Sequence, residues 1–265
     1  MKTLARLHAA LGRARAPALT VSEERGVRTL HVGGAAIQSS MRLADPFALE
    51  LEYTRCIMAF LLFHPQPRAA LMIGLGGGSL AKFFYRRLPA VRTRVVELDE
   101  RVVAVARAQF GLPDDDARLQ VEIGDGAEAL APECCDTLVV DAFADEHPPA
   151  ALASQVFFDA AWLALEAPGV LVVNLMDDDP ALDLKLQCAE RAFGGAVLAL
   201  PALYDPNVIV LALKGAPRAF AWDELGRRAR VLERRYGLPF ARYLPRLKRM
   251  NRFNAGELLL APVEA

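Results

Sequence analysis

The sequence predicts an α/β protein with a mostly parallel sheet and a small β segment at its N-terminus. From Arg68 onward, short apolar strands alternate with helical segments, and a glycine-rich turn follows the first of these strands. This alternation indicates a parallel sheet with helices on both faces. A chain of 265 residues, 54% of them hydrophobic and 24% charged, can fill such a core.

The N-terminal segment, residues 1–45, is predicted as a hairpin or three-strand meander, and residues 46–265 as the domain that contains the main sheet. Its three β-prone runs are separated by a Glu-Arg-Gly turn and a Gly-Gly pair, and they cover residues 18–23, 27–32 and 35–39. Asp45-Pro46 predicts a helix start, and apolar residues at helical spacing extend the predicted helix to Phe63.

The main sheet is predicted to contain five strands separated by helices. The strands are residues 69–74, 94–98, 119–123, 137–141 and 170–175, and the helices are residues 79–88, 100–110, 155–165 and 181–193. Strands at 196–201 and 208–214 have no helix between them, which predicts an antiparallel edge. A helix over residues 222–236 is predicted to close the chain.

Composition predicts a cytoplasmic protein without a nucleic-acid or membrane partner. Lys and Arg total 31 and Asp and Glu total 32, a net charge of -1, and no apolar run is long enough for a signal peptide or membrane span. The arginine-rich stretch from Arg218 to Arg252 is interpreted as the solvated face of one or two helices, with a partner-facing rim as the lesser alternative. No metal is predicted, because four cysteines without metal-ligand spacing indicate reduced, buried thiols: Cys56, Cys134, Cys135 and Cys188.

The turn Gly74-Leu75-Gly76-Gly77-Gly78-Ser79 lies between the first main strand and its helix, where open α/β sheets bind ligands. Glu97 ends the second strand, 97 − 78 = 19 positions beyond the last glycine, and an acid there can accept both hydroxyls of a ribose. The alternative for Glu97 is an exposed or helix-capping carboxylate, although Asp99 fits the capping role better.

Acids also follow the third and fourth strands. Asp125, within Gly124-Asp125-Gly126, matches an adenine-binding carboxylate and a helix N-cap equally well. Asp141 follows a buried strand and is a candidate general base or amine anchor. Asp145 and Glu146 are more typical of a solvated loop. A dinucleotide-binding dehydrogenase matches less well, because no second glycine turn follows Val170. The prediction is a class I methyltransferase-like (Rossmann-like) fold that binds the nucleoside of an adenosylmethionine-type compound.

The region from about Thr20 to Lys214 resembles the spermidine synthase family, the polyamine aminopropyltransferases, as a divergent member. The stretches that carry the resemblance are the glycine turn, Ala36-Ile37-Gln38-Ser39, Glu52-Tyr53-Thr54-Arg55, His64-Pro65-Gln66-Pro67-Arg68, Glu97-Leu98-Asp99, Gly124-Asp125-Gly126 and Val140-Asp141. The chain departs from the family in three places. Gly77 replaces an aspartate of the turn, Thr54 replaces a glutamine after Tyr53, and Asp145 lies four residues after Asp141 instead of three.

The resemblance implies transfer of an aminopropyl group from decarboxylated S-adenosylmethionine to a small-molecule amine, with release of methylthioadenosine. It implies that Asp141 is the catalytic residue, that Gln38 contacts the nucleoside, and that Glu97 holds the ribose and Asp125 the adenine. It further implies cofactor-binding glycines at Gly74, Gly76, Gly77, Gly78 and Gly126, an amine side formed by Tyr53, Asp145 and Tyr204, and a homodimer. Two alternatives stay open: a methyltransferase that uses S-adenosylmethionine itself, for which Gly77 leaves room, and a decayed methylthioadenosine-binding protein.

Overall fold

The computed structural model describes residues 18–34, 37–143 and 149–260. Its strands are β1 (Leu19–Glu24), β2 (Val27–Val32), β3 (Ile37–Arg42), β4 (Ala69–Ile73), β5 (Arg92–Glu97), β6 (Leu119–Ile123), β7 (Cys135–Val140), β8 (Leu165–Met176), β9 (Val197–Pro201), β10 (Asn207–Lys214), β11 (Ala219–Ala221) and β12 (Glu257–Leu259). Its α-helices are α1 (Glu52–Ile57), α2 (Ser79–Arg87), α3 (Glu100–Phe110), α4 (Gln155–Ala164), α5 (Leu182–Ala192), α6 (Trp222–Tyr236) and α7 (Phe240–Met250), and 3-10 segments cover Met58–Leu62 and Ala150–Ala153.

The main sheet has seven strands in the order β6-β5-β4-β7-β8-β10-β9. The first five in this order pair in parallel, whereas β10 pairs antiparallel with β8 and with β9. Apolar side chains from the two faces enter separate buried clusters, as expected for central strands covered on both sides. The predicted mostly parallel α/β sheet with its antiparallel edge pair is confirmed.

The N-terminal strands form a separate three-stranded antiparallel sheet, β1-β2-β3. This sheet contacts the main domain through β3 and α2: the Ser39 and Ser79 hydroxyls lie 3.2 Å apart, and the buried Lys82 ammonium donates to the Phe110 carbonyl at 2.6 Å. These contacts place β3 beside the glycine turn. The division of the chain at residues 45 and 46 stays a prediction.

The predicted helix start at Asp45 is wrong, because α1 begins at Glu52. Asp45 instead forms a β-bridge with Arg42, and the Arg55 guanidinium donates to the carbonyls of Leu49 and Glu50 at 2.9 and 3.0 Å. These tertiary bonds hold the chain out of helical geometry until residue 51. Beyond α1, the 3-10 segment is buried in the core with no exposed side chain.

Two further predictions need correction. The arginine-rich C-terminal stretch includes a second helix, α7, and one of its arginines, Arg246, is buried instead of solvated. Cys134 is exposed, whereas the other three cysteines are buried as predicted, and all four are free. Within the described ranges, no helix is long and apolar enough to span a membrane.

Candidate active site

A cavity of about 470 Å³ opens at the carboxyl ends of β4, β7 and β8, where open α/β sheets bind ligands. The glycine turn after β4 and Gln38 of β3 line one side of it, and Tyr53 of α1 lies among its other lining residues. Asp141, which directly follows β7, also faces this cavity. The topology therefore brings residues from four distant parts of the chain to one site.

Hydrogen bonds to both of its carboxylate oxygens hold Asp141 in place. Oδ1 accepts from Nδ2 of Asn174 at 2.9 Å, and the Tyr53 hydroxyl donates to Oδ2 at 3.4 Å, the long end of the hydrogen-bond range. The Asn174 amide is itself fixed, because its oxygen accepts from Nδ2 of Asn207 at 2.9 Å. Burial raises the pKa of Asp141 to about 6, although the two hydrogen bonds offset part of that effect. At neutral pH this carboxylate is mostly ionised and can accept a proton.

Tyr53 is the residue through which the acids of the site interact. Burial raises the pKa of its hydroxyl well above the usual value, and the charges of Asp141 and Asp205 raise it further. The hydroxyl therefore stays protonated and acts as a donor. The backbone N–H of Tyr53 donates to Oδ2 of Asp205 at 3.1 Å. Asp205 and Asp141 thus flank the same tyrosine.

The glycine turn passes so close to the catalytic strand that a side chain does not fit at its first position. Gly74 has a φ of +95°, and a Cβ there would lie 2.3 Å from the carbonyl oxygen of Asp141. Gly74 and Gly76 line the cavity. Gly77 and Gly78 pack away from it: a Cβ at Gly77 would meet Ser39 Oγ at 2.8 Å and the Phe110 ring at 2.9 Å.

Glu97 lies directly beneath the glycine turn and fixes it. Its Oε2 accepts from the Leu75 N–H at 2.8 Å, and its Oε1 accepts from the Asp99 N–H at 3.0 Å. Each carboxylate oxygen keeps a lone-pair site that a ribose hydroxyl can use. Asp99 caps α3 through the Arg101 N–H, as predicted.

The remaining predicted site residues lie farther from this cavity. Asp125 is exposed, and its carboxylate accepts from the Ala127 N–H at 2.8 Å in a local turn. Gly126 is buried against Ile73, so packing alone requires a glycine there. Tyr204 is 80% exposed and does not line the cavity, and Asp145 lies outside the described residues.

Comparison with known proteins gives a family for this arrangement. Residues 50–202, more than half of the chain, match the model of the spermine/spermidine synthase domain. The chain is 38% identical to a polyamine aminopropyltransferase of Chromobacterium violaceum over 92% of its own length and 94% of the relative's. The protein belongs to the spermine/spermidine synthase family.

Two solved structures place this family member among methyltransferase-like folds. Human methyltransferase-like protein 13 in complex with SAH is 27% identical, with a TM-score of 0.64, over 71% of this chain and 93% of that one. A probable spermidine synthase from Corynebacterium glutamicum matches 85% of this chain and 86% of its own with a TM-score of 0.69, and at 23% identity it supports the fold alone.

Sequence reasoning missed four polar residues that line the cavity of this family member: Asn174, Asp178, Asp205 and Asn207. Asn174 carried a signal, because it is the polar residue in the predicted apolar strand over 170–175. The two aspartates carried none. They come together because β8 and β10 pair Met176 with Asn207, and the Asp177 N–H donates to the Pro206 carbonyl at 2.9 Å. One step further along this register, Asp178 lies opposite Asp205.

Proposed function

We propose that the protein transfers an aminopropyl group from decarboxylated S-adenosylmethionine to a polyamine-type small-molecule acceptor. The charge of the cavity carries this proposal. Asp141, Asp178 and Asp205 line it, and its described lining residues include no Lys, Arg or His. A ligand therefore has to supply the positive charge, because buried carboxylates need a cationic or hydrogen-bonding partner. The sulfonium and ammonium of the donor and the amines of the acceptor supply it.

The chemistry at Asp141 follows from its position between Tyr53 and Asn174. The acceptor's amine nitrogen attacks the carbon next to the sulfonium, a carbon–nitrogen bond forms, and the carbon–sulfur bond breaks with its electron pair on sulfur. Methylthioadenosine leaves as a neutral thioether, so the leaving group needs no acid. Asp141 binds the incoming amine and accepts its proton as the new bond forms. Alignment of nitrogen, carbon and sulfur provides much of the rate.

The pair Asp178 and Asp205 gives the site a preference for acceptors with a second ammonium. Like charges directly opposite each other across a strand pair are destabilising, and a cation between them removes that repulsion. Asp205 retains one carboxylate oxygen that no Tyr53 contact uses. We propose that this pair holds the ammonium that does not react.

A methyltransferase that uses S-adenosylmethionine is the second candidate, because Gly77 lacks the family's acidic side chain in the turn. The fold likeness to methyltransferase-like protein 13 is consistent with this candidate. The cavity disfavours it: the methionine carboxylate would add a negative charge where three aspartates already line the wall and the described lining residues offer no basic side chain.

Product identity by mass spectrometry tests the proposal. The purified protein is incubated with 1,4-diaminobutane and related amines, with either decarboxylated S-adenosylmethionine or S-adenosylmethionine as donor, and the Asp141→Asn variant is the matched control. Methylthioadenosine and an aminopropylated amine from the first donor support the proposal. Adenosylhomocysteine from the second donor supports the methyltransferase, and no product from either donor supports the decayed binding protein.

The remaining predicted properties are proposals that rest on the family likeness. We propose a cytoplasmic homodimer whose donor is held by the glycine turn, Gln38 and Glu97 without a metal or nucleic-acid partner. The apolar segment that first suggested a dimer is buried within the protomer, so it cannot form the interface. Four free cysteines support a reducing compartment. Light scattering at micromolar concentration tests the dimer, and a monomeric mass would contradict it.

A further inference from the structure

A buried ion pair connects the C-terminal helix α7 to the amine side of the cavity. The Arg246 side chain is 7% exposed and donates from Nη1 to Oε1 of Glu52, which is 13% exposed, at 2.9 Å. A second guanidinium nitrogen of Arg246 donates to the Pro201 carbonyl. Removing two charges from water is costly, so a buried pair of this kind is weak support for stability by itself. What it holds in place is therefore the informative feature.

Glu52 ties the first turn of α1 to the loop between β9 and β10. Its second carboxylate oxygen accepts from the Leu203 N–H at 2.8 Å. Burial raises the pKa of Glu52, but the hydrogen bonds that it accepts outweigh burial and keep that pKa below its usual value. The next residue, Tyr53, donates its N–H to Asp205 of the same loop. The turn and the loop are thus joined at two successive residues, and Arg246 is bonded to both segments.

These contacts end at the reacting carboxylate, because the hydroxyl of Tyr53 points to Asp141. We propose that Arg246 acts through Glu52 as a positioning residue that sets the Tyr53 hydroxyl against Asp141 and so determines how tightly the acceptor amine binds. This inference rests on the proposed function for the identity of the acceptor. It assigns a role to the C-terminal helix pair, which lies outside the matched family region of residues 50–202. Displacements of about 1 Å at such a site cost up to about a hundredfold in rate.

The test compares acceptor binding with nucleoside binding in variants of the full chain. In Arg246→Met, we expect the Kd of 1,4-diaminobutane, measured by calorimetry with methylthioadenosine present, and its KM to rise about tenfold. The Kd of methylthioadenosine should stay within about twofold, because the glycine turn and Glu97 make no contact with this network. In Arg246→Lys, which keeps the charge but not the fork of donors, we expect a smaller rise.

A double-mutant cycle shows whether the effect passes through Tyr53. If it does, Arg246→Met adds less than about twofold to the acceptor Kd in a Tyr53→Phe background. Asn251→Ala is the matched control, since Asn251 also joins the α7 region to β9, through the Ala199 N–H and carbonyl at 2.8 and 2.6 Å, but has no bond to Glu52 or the loop. We expect Asn251→Ala to leave acceptor affinity unchanged. If Arg246→Met does not fold, Glu52→Gln removes the ion pair with less change in volume and is expected to weaken acceptor binding in the same direction.

Three results would overturn the inference: an unchanged acceptor Kd in Arg246→Met or Glu52→Gln, an equal loss in the Tyr53→Phe background, or an equal loss in Asn251→Ala. Failure of the proposed function has a different signature. In that case the wild-type protein gives no aminopropylated product, whereas the calorimetric comparison of acceptor and nucleoside binding still decides the role of Arg246.

Discussion

Replacing Asp141 by asparagine should stabilise the free protein while abolishing turnover. Burial raises the pKa of Asp141 to about 6, so ionising it at neutral pH opposes folding. Relative to a usual Asp pKa of about 3.9, a rise to about 6 corresponds to about 3 kcal/mol at pH 7 and above. Asparagine keeps an oxygen for the Asn174 amide and places no charge in the cavity. We expect Asp141→Asn to unfold with a free energy about 1 to 3 kcal/mol larger than wild type at pH 7.5.

The pH dependence gives this prediction its sign. The folded protein binds a proton at Asp141 more tightly than the unfolded chain does, so the wild-type protein loses stability as pH rises from about 4 through about 6. The asparagine variant lacks this loss, and its advantage should shrink as pH falls from 7.5 to 4. Urea unfolding at several pH values measures the difference, and calorimetry checks that methylthioadenosine binds both proteins equally. An advantage for wild type at pH 7.5, or a difference that does not change with pH, would refute the reasoning.

Three further predictions follow from the same geometry. The kcat/KM of the wild-type protein should fall as pH drops through about 6, because Asp141 becomes protonated in the free enzyme; a profile without an inflection between pH 5 and 7 would contradict this. Asp205→Asn should raise the KM for a diamine about fivefold or more and change the KM for a monoamine of equal length little, which steady-state kinetics can compare. Gly77→Asp should lower stability by about 1 to 3 kcal/mol without raising turnover, since its Cβ meets Ser39 and Phe110, and adding Ser39→Ala should recover part of the loss in thermal unfolding.

The main sheet could be predicted because its strands are central and buried, so their sequences are short apolar runs between helices. The glycine turn was also readable, since the close approach of Gly74 to the Asp141 carbonyl excludes a side chain. Asp141 could be placed in the site by its position at the end of a buried strand. These features depend on residues that are near each other in sequence or in a regular register.

The features that were missed depend on contacts between distant parts of the chain. Proline after Asp45 is a good local helix signal, but the bonds of Arg42 and Arg55 delay the helix to Glu52. The helix α7 contains Pro245, and its arginines are typical of a solvated face, yet Arg246 is buried by its pairing with Glu52. No local pattern reports such pairings.

The acceptor side shows the same limit. Asp178 and Asp205 lie 205 − 178 = 27 residues apart in the sequence. Only the antiparallel register of β8 and β10 brings them opposite each other. Each aspartate alone has the sequence context of an exposed loop acid. The preference for a second ammonium could therefore be proposed only after the cavity and its charges were known.

The measurement that tests the central claim most directly is a comparison of the two donors by calorimetry. A cavity with three aspartates and no basic side chain among its described lining residues should bind decarboxylated S-adenosylmethionine more tightly than S-adenosylmethionine. An added carboxylate about 7 Å from one ionised aspartate costs about 2 kcal/mol at an effective dielectric constant of about 20, so we expect at least about a tenfold preference. Equal or tighter binding of S-adenosylmethionine would contradict the account and assign the site to methyl transfer.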